Sequence, residues 1–286
     1  MSAENIKSIG VIGAGTMGSG IASVCALNGY KTVLYDLNQQ ALDKARDNIL
    51  KGFDKLLEKG KINESKRKSS EKNIEYTLDF QKFSEPDFII EAAIEKIDLK
   101  KDLFKKLDEI TKPDAILATN TSSFSVTEIS TAVKDKRRVI GMHFFNPANI
   151  MKLVEVVKSE FTSDETLKIA IELCKKLDKT PVTCKDTPAF IVNRVARAFY
   201  LEPLRILDEG NITVEAIDSI MKNEGGFAMG PFELMDLIGI DVNLSVTKSV
   251  YEAFSHNPKY KPSQIQQKMV DAGLLGRKTK QGFYKY

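Results

Sequence analysis

Short apolar runs alternate with longer amphipathic ones through the first half of the chain. That rhythm restricts the fold more than any other feature. Ser8–Ile12, Thr32–Asp36, Phe88–Glu91, Ile116–Thr119 and Arg138–Met142 read as strands. They are apolar on both faces, as strands buried in a parallel sheet are. Between them Met17–Asn28, Ala41–Lys59, Leu99–Thr111 and Val126–Ala132 carry helical periodicity. Strand–helix alternation predicts right-handed crossovers and an α/β domain with a mostly parallel sheet covered by helices on both sides. Leu153–Val157 adds a strand after the Phe144–Met151 loop, and Pro181–Cys184 is a candidate for another.

The texture changes at Asp186. Ile191–Gly210 is one long helical pattern, followed by Val214–Lys222, Glu233–Ile238 and Val242–Phe254. Gly210, Gly225–Gly226, Gly230–Pro231 and Gly239 punctuate these segments as caps and turns. The one strand pattern here is the final Gly282–Tyr286. We therefore expect an α/β domain over residues 1–185 and an all-helical domain over 186–286. The helical part has more apolar faces than a small bundle hides alone: Phe199, Leu201, Leu204 and Leu207, then Phe232, Leu234, Leu237 and Ile238. Burial between two copies, a homodimer, is the expectation. Lys59–Lys72 reads as a polar surface connection.

A chain of 286 residues suits two domains and buries roughly three quarters of its unfolded surface without staples. Its 42 basic and 39 acidic residues leave a formal charge of +3, too weak an excess for a nucleic-acid binder. No apolar run is long enough to span a membrane. Met1–Lys7 lacks the features of a signal peptide, so a cytoplasmic location is expected. The three cysteines form no Cys-x-x-Cys pair and there are two histidines, so no metal site is expected.

Gly13-Ala14-Gly15-Thr16-Met17-Gly18 follows the first strand directly and opens the first helix. The first glycine allows a tight turn, the second lets a pyrophosphate approach the backbone, and the third lets helix and strand pack closely. The helix N-terminus then offers free N–H groups to phosphate. Asp36 stands at the end of the next strand, 18 residues after Gly18. An acid there accepts from both ribose hydroxyls and repels a 2′-phosphate. In this strand–turn–helix context the motif predicts a bound dinucleotide, NAD rather than NADP. Lys31 lies outside the strand end, solvated.

Four polar residues fall where the strands of such a sheet end, or just beyond the boundary. Ser122 follows Ile116–Thr119, His143 follows Arg138–Met142, Glu155 sits inside Leu153–Val157, and Asn193 lies near the start of the long helix. Each has a plain structural alternative. Ser122 reads equally as a cap for the helix at Val126, His143 as a satisfied core histidine, and Asn193 as an ordinary helix residue. Glu155 is harder to dismiss, because a carboxylate in an apolar strand is costly unless paired. Together they form a hydroxyl/carbonyl oxidoreductase site. His143 is the acid in reduction and the base in oxidation, Glu155 braces its ring, Ser122 donates to the reacting oxygen, and Asn193 fixes the histidine or a neighbouring carbonyl.

The sequence resembles the L-3-hydroxyacyl-CoA dehydrogenase family, and within it the short-chain bacterial members. The matching pieces are GAGTMGSGIA from Gly13, EAAIE from Glu91, NTSS from Asn120, HFFNP from His143, MKLVEV from Met151, DTPAFIVNR from Asp186, GPFELMD from Gly230 and GRKTKQGFY from Gly276. They span nearly the whole chain. The resemblance implies a Rossmann-type NAD domain, a helical dimerising domain, and reversible oxidation of (S)-3-hydroxybutyryl-CoA to acetoacetyl-CoA. It carries catalytic positions onto Ser122, His143, Glu155 and Asn193, and nicotinamide-side positions onto Glu95, Lys100 and Asn120. It also implies basic residues for coenzyme A, here Lys51 and Lys55, though a solvated lysine face explains that pair equally well. One departure is Ala189, where the family has glycine. If the backbone there needs positive φ, alanine is strained; if it is helical, alanine is harmless. Two rivals stand beside this reading: a dehydrogenase for a free hydroxy or sugar acid on the same fold, and a catalytically silent NADH-binding dimer.

Overall fold

The structure, a computed structural model, describes residues 3–286. It divides into two compact units, one ending at Thr187 and the other Pro188–Tyr286. The first unit is built on β1 (Ser8–Ile12), β2 (Lys31–Tyr35), β3 (Ile74–Thr77), β4 (Phe88–Glu91), β5 (Ile116–Thr119), β6 (Val139–Phe144), β7 (Leu153–Lys158) and β8 (Thr180–Lys185). They form one sheet in the order β3-β2-β1-β4-β5-β6-β7-β8. Every neighbouring pair is parallel except β6 and β7. The central strands are apolar because both faces are covered: Ile9, Val11, Phe88, Ile90, Ile116, Ala118 and Ile140 are buried in one core on one face, and Ile89, Leu117 and Val139 are buried on the other.

The helices of this unit are α1 (Thr16–Leu27), α2 (Gln39–Glu58), α3 (Glu64–Lys72), α4 (Ile97–Ile110), α5 (Val126–Ser130) and α6 (Asp164–Lys176). Helix α2 buries Leu42, Ala45, Ile49 and Phe53, the one-face spacing that made it legible. Three elements depart from the sequence expectation. Most of the stretch read as a polar connection is α3, a helix that buries only Ser70 and so shows no apolar stripe. The edge strand β3 buries only Ile74. Helix α6, capped by Ser163, has no counterpart in the sequence expectation, although it buries Ile169, Ala170, Leu173 and Cys174. Lys31 is the exposed first residue of β2 rather than a residue outside it.

The second unit contains α7 (Val192–Asp208), α8 (Val214–Asn223), α9 (Pro231–Ile238), α10 (Ile240–Ala253) and α11 (Gln264–Asp271). Tyr200, Leu204, Ile217, Phe232, Met235 and Ile240 form its core. Several residues expected at an interface are thus internal: Leu201, Leu204 and Phe232 are buried, and Phe199, Leu207 and Leu234 pack against the core. Leu237 and Ile238, expected in the same set, are exposed, and Val195, Ile220 and Val242 are further exposed apolar residues. The expected final strand is absent. Gly282–Tyr286 is held by an isolated bridge between Gln281 and Lys285 and by side chains. Asp236 accepts from the Phe283 and Tyr284 N–H groups and the Tyr286 hydroxyl, and Asp218 accepts from the Tyr284 hydroxyl at 2.8 Å. Ala189 has φ +64° and Phe190 φ +47°, so the strained alternative at Ala189 is the one adopted. Its methyl packs with Val250 and Tyr260, which offsets part of a left-handed penalty of about 1–2 kcal/mol.

Candidate active site

The glycine loop joins β1 to α1. Gly13 has φ +98° and lies against the Ala92 carbonyl, and a side chain at Gly18 would strike the Gly13 carbonyl. Those two glycines answer to the chain's own packing. Gly15 does not: a Cβ there would meet no protein atom within 4 Å. What a bare Gly15 provides is close access to the backbone at the N-terminus of α1, which carries no side-chain cap and no acid in its first turn. That is the arrangement a pyrophosphate requires. Met17 lies in the first turn of the same helix.

Asp36 follows β2 directly. Its carboxylate accepts from the Ala14 N–H at 2.8 Å and the Asn38 N–H at 3.0 Å, which fixes it beside the loop. It borders a cavity of about 290 Å³ walled by Tyr35, Leu37, Phe80, Ile94 and Leu99. An apolar slot with one anchored carboxylate suits an adenine ring and its ribose. The residues present therefore fit NAD. A second cavity, about 430 Å³, runs from Gly15 and Thr16 along α2 to Pro147 and Ala148. Lys44 and Asn48 line it. Lys51 and Lys55 do not; both are exposed, further along α2. Sequence reasoning missed Lys44, although it lies two helical turns before Lys51 and next to the apolar Ala45.

Polar groups gather at the carboxyl ends of β4 and β5. Glu91 closes β4, and Lys100 reaches it at 2.8 Å. Lys100 also contacts Glu95 at 3.0 Å. Glu95 in turn accepts from the Thr121 hydroxyl, the Ser122 N–H at 3.0 Å and the Ser123 hydroxyl at 3.0 Å. Burial pushes the Glu95 carboxyl up, but Lys100 and these donors outweigh it and hold it below the usual carboxylate range. Asn120 Oδ1 accepts the Phe144 N–H at 2.9 Å, tying this loop to the end of β6. The cap of α5 is Ser125, which accepts from the Glu128 N–H, so Ser122 is not that cap.

His143 and Glu155 face each other across the antiparallel β6–β7 pair. Nδ1 of the ring lies 2.7 Å from Glu155 Oε2, and the pair is 7% and 1% exposed. Two residues costly alone are thus mutually satisfied. In the tautomer protonated at Nδ1, the ring donates to the carboxylate. Phe145 packs against the ring at 4.6 Å between centroids. Asn193 belongs to the second unit, at the second residue of α7, where its carbonyl accepts from Arg197 Nε at 3.1 Å. Among the described residues no group of histidine, cysteine, aspartate and glutamate could hold a metal ion.

Comparison with known proteins bears on the family of the chain. Residues 8–187 match the NAD binding domain of 3-hydroxyacyl-CoA dehydrogenase, and residues 190–286 match its C-terminal domain. A probable 3-hydroxybutyryl-CoA dehydrogenase of Deinococcus radiodurans is 44% identical, covering 97% of this chain and 99% of the relative. The crystal structure of (S)-3-hydroxybutyryl-CoA dehydrogenase from Ralstonia eutropha superposes with a TM-score of 0.95 at 39% identity, covering 99% of both chains. A 3-hydroxyadipyl-CoA dehydrogenase of Escherichia coli is also 44% identical over 98% of this chain, but the chain spans only 59% of that relative's length. The chain belongs to the 3-hydroxyacyl-CoA dehydrogenase family, and its first unit carries that family's NAD-binding domain.

Proposed function

We propose that the protein interconverts (S)-3-hydroxyacyl-CoA and 3-oxoacyl-CoA with NAD, and that (S)-3-hydroxybutyryl-CoA and acetoacetyl-CoA are its preferred pair. The observation that carries this is the buried His143–Glu155 pair at 2.7 Å, on the carboxyl-end side of a dinucleotide-binding sheet. When bound, NAD supplies the acceptor for the hydride leaving C3 of the substrate. His143 Nε2 takes the proton of the 3-hydroxyl as that hydride departs, and returns it when the ketone is reduced. Glu155 keeps the ring in the useful tautomer and balances the imidazolium. Ser122 donates to the reacting oxygen, and Asn193 orients the imidazole or the thioester carbonyl.

Gly13, Gly15, Met17, Gly18 and Asp36 hold the dinucleotide, with Glu95, Lys100 and Asn120 on its nicotinamide side. Lys51 and Lys55 meet the phosphates of coenzyme A, and Lys44 joins them from the cavity along α2. In this reading the boundary is 185/186, with the first domain binding NAD and the second completing the substrate site and pairing two copies. The exposed apolar residues of the second unit support a homodimer. Three buried free thiols suit a reducing cytoplasm, and among the described residues no helix is long and apolar enough to cross a membrane.

The test follows NADH consumption with acetoacetyl-CoA, with 3-oxoadipyl-CoA and with free acetoacetate, in the presence and absence of coenzyme A. We expect turnover on acetoacetyl-CoA, competition by coenzyme A and little reaction of the free acid. Preference for the adipyl substrate would overturn the chain-length assignment. Equal turnover of the free acid would overturn the acyl-CoA assignment.

A further inference from the structure

Three charged side chains at the ends of β4 and β5 have no reacting role in the proposed chemistry. Glu91 is wholly buried at the end of an apolar strand, and both its oxygens are engaged. Oε1 accepts from Lys100 Nζ at 2.8 Å and the Ala93 N–H at 2.8 Å, and Oε2 accepts from the Thr119 hydroxyl at 2.7 Å. Lys100, 1% exposed, also meets Glu95 at 3.0 Å. Two carboxylates surround one ammonium, so one negative charge is unbalanced. An apolar side chain would fill the strand end without the cost of desolvating an ion. What Glu91 adds is charge and the orientation of its donors.

The place of this group follows from topology. In a sheet ordered β3-β2-β1-β4-β5-β6, a dinucleotide crosses the switch point between β1 and β4, one nucleotide on each side. Asp36 and the apolar slot mark the adenosine side, next to β2. The nicotinamide half then lies over the ends of β4 and β5, where Glu91, Lys100 and Glu95 stand. Nicotinamide carries one positive charge when oxidised and none when reduced, and the rest of the cofactor is the same in both forms.

We propose that Glu91, through Lys100 and Glu95, maintains an unbalanced negative charge beside the nicotinamide half and thereby favours NAD⁺ over NADH in binding. Glu91 is a positioning residue in this account, acting through its neighbours. The inference rests on the NAD-binding domain and not on the identity of the acyl substrate.

The experiment measures the Kd of NAD⁺ by calorimetry and of NADH by its fluorescence, for the parent and for Glu91→Gln. The amide keeps an acceptor for Lys100 and the Ala93 N–H but removes the charge. The ratio Kd(NAD⁺)/Kd(NADH) should rise about 3- to 10-fold, with the loss falling mainly on NAD⁺. Equal weakening of both forms, or no change in either, would overturn the proposal. The double variant Glu91→Gln/Lys100→Met removes one charge of each sign. Its ratio should return toward the parent value even where both affinities fall; a ratio that stays raised contradicts the electrostatic account. Where Glu91→Gln does not fold, Glu95→Gln provides the same charge change at a more exposed site. Its ratio must rise, and an unchanged ratio there sinks the idea equally.

Discussion

A carboxylate inside an apolar strand and a histidine in the next are each expensive to bury, and their register makes them one unit. His143 is directly opposite Glu155, so the side chains meet across a single antiparallel rung. Replacing His143 by Gln should cut turnover about 10²–10⁴-fold, with the Kd of NADH within about twofold of the parent. Replacing Glu155 by Gln should cost turnover about 10²-fold or more, because the amide balances no imidazolium and holds the tautomer weakly. Steady-state kinetics beside an NADH titration checks both, and a Glu155→Gln enzyme with parental turnover would remove the pair from the mechanism. Much of this was legible in the sequence, since an acid amid valines demands a partner and few histidines were available. The clamp of Glu95 on Thr121, Ser122 and Ser123 was not legible, because three donors from one turn converge only once the loop is folded.

Asp87 shows how an element is fastened at the opposite, amino end of the sheet. Lying just before β4, it accepts from the Lys7 N–H at 2.9 Å, the Ser8 N–H and hydroxyl at 3.1 Å each, and Lys112 Nζ at 2.7 Å. Burial pushes its carboxyl up, but Lys112 and these donors outweigh it and the folded-state value is lowered. A lowered folded value means stability present above the unfolded carboxylate range and lost as pH falls through the folded value. Asp87→Asn should therefore be less stable than the parent in urea melts at neutral pH, and the difference should shrink below the ordinary carboxylate range. A gap that widened in acid would contradict this. In the second unit, Asp236→Ala strips the partners from two backbone N–H groups of the tail and should destabilise by about 2–4 kcal/mol in the same assay. Elements with an apolar stripe, such as α2, were readable from spacing. Helix α11 offered a short stripe, Ile265, Met269 and Val270 against the core after the Ser263 cap, that the sequence reading did not use; the tail is held by aspartates far away in sequence and left no local signature.

Over the whole molecule, the sequence changes near Asp186 from alternating texture to continuous helix, and the structure divides into compact units between Thr187 and Pro188. The choice of outward-facing apolar residues was readable only in part: Leu237 and Ile238 were expected outside, but on a helix packed from several sides, such as α7, propensity says little about which stripe is left over. Val195, Ile220, Leu237 and Val242 remain exposed, and sedimentation at micromolar concentration should give a dimer; a strict monomer would leave that surface unexplained. The central claim is that a proton passes through His143 while a hydride passes between NAD and the acyl-CoA. The most direct measurement is the decay of NADH absorbance with acetoacetyl-CoA, for the parent and His143→Gln at saturating NADH. The account predicts rapid decay in the parent and a loss of at least about 10²-fold in the variant while NADH still binds; equal decay in both would contradict it.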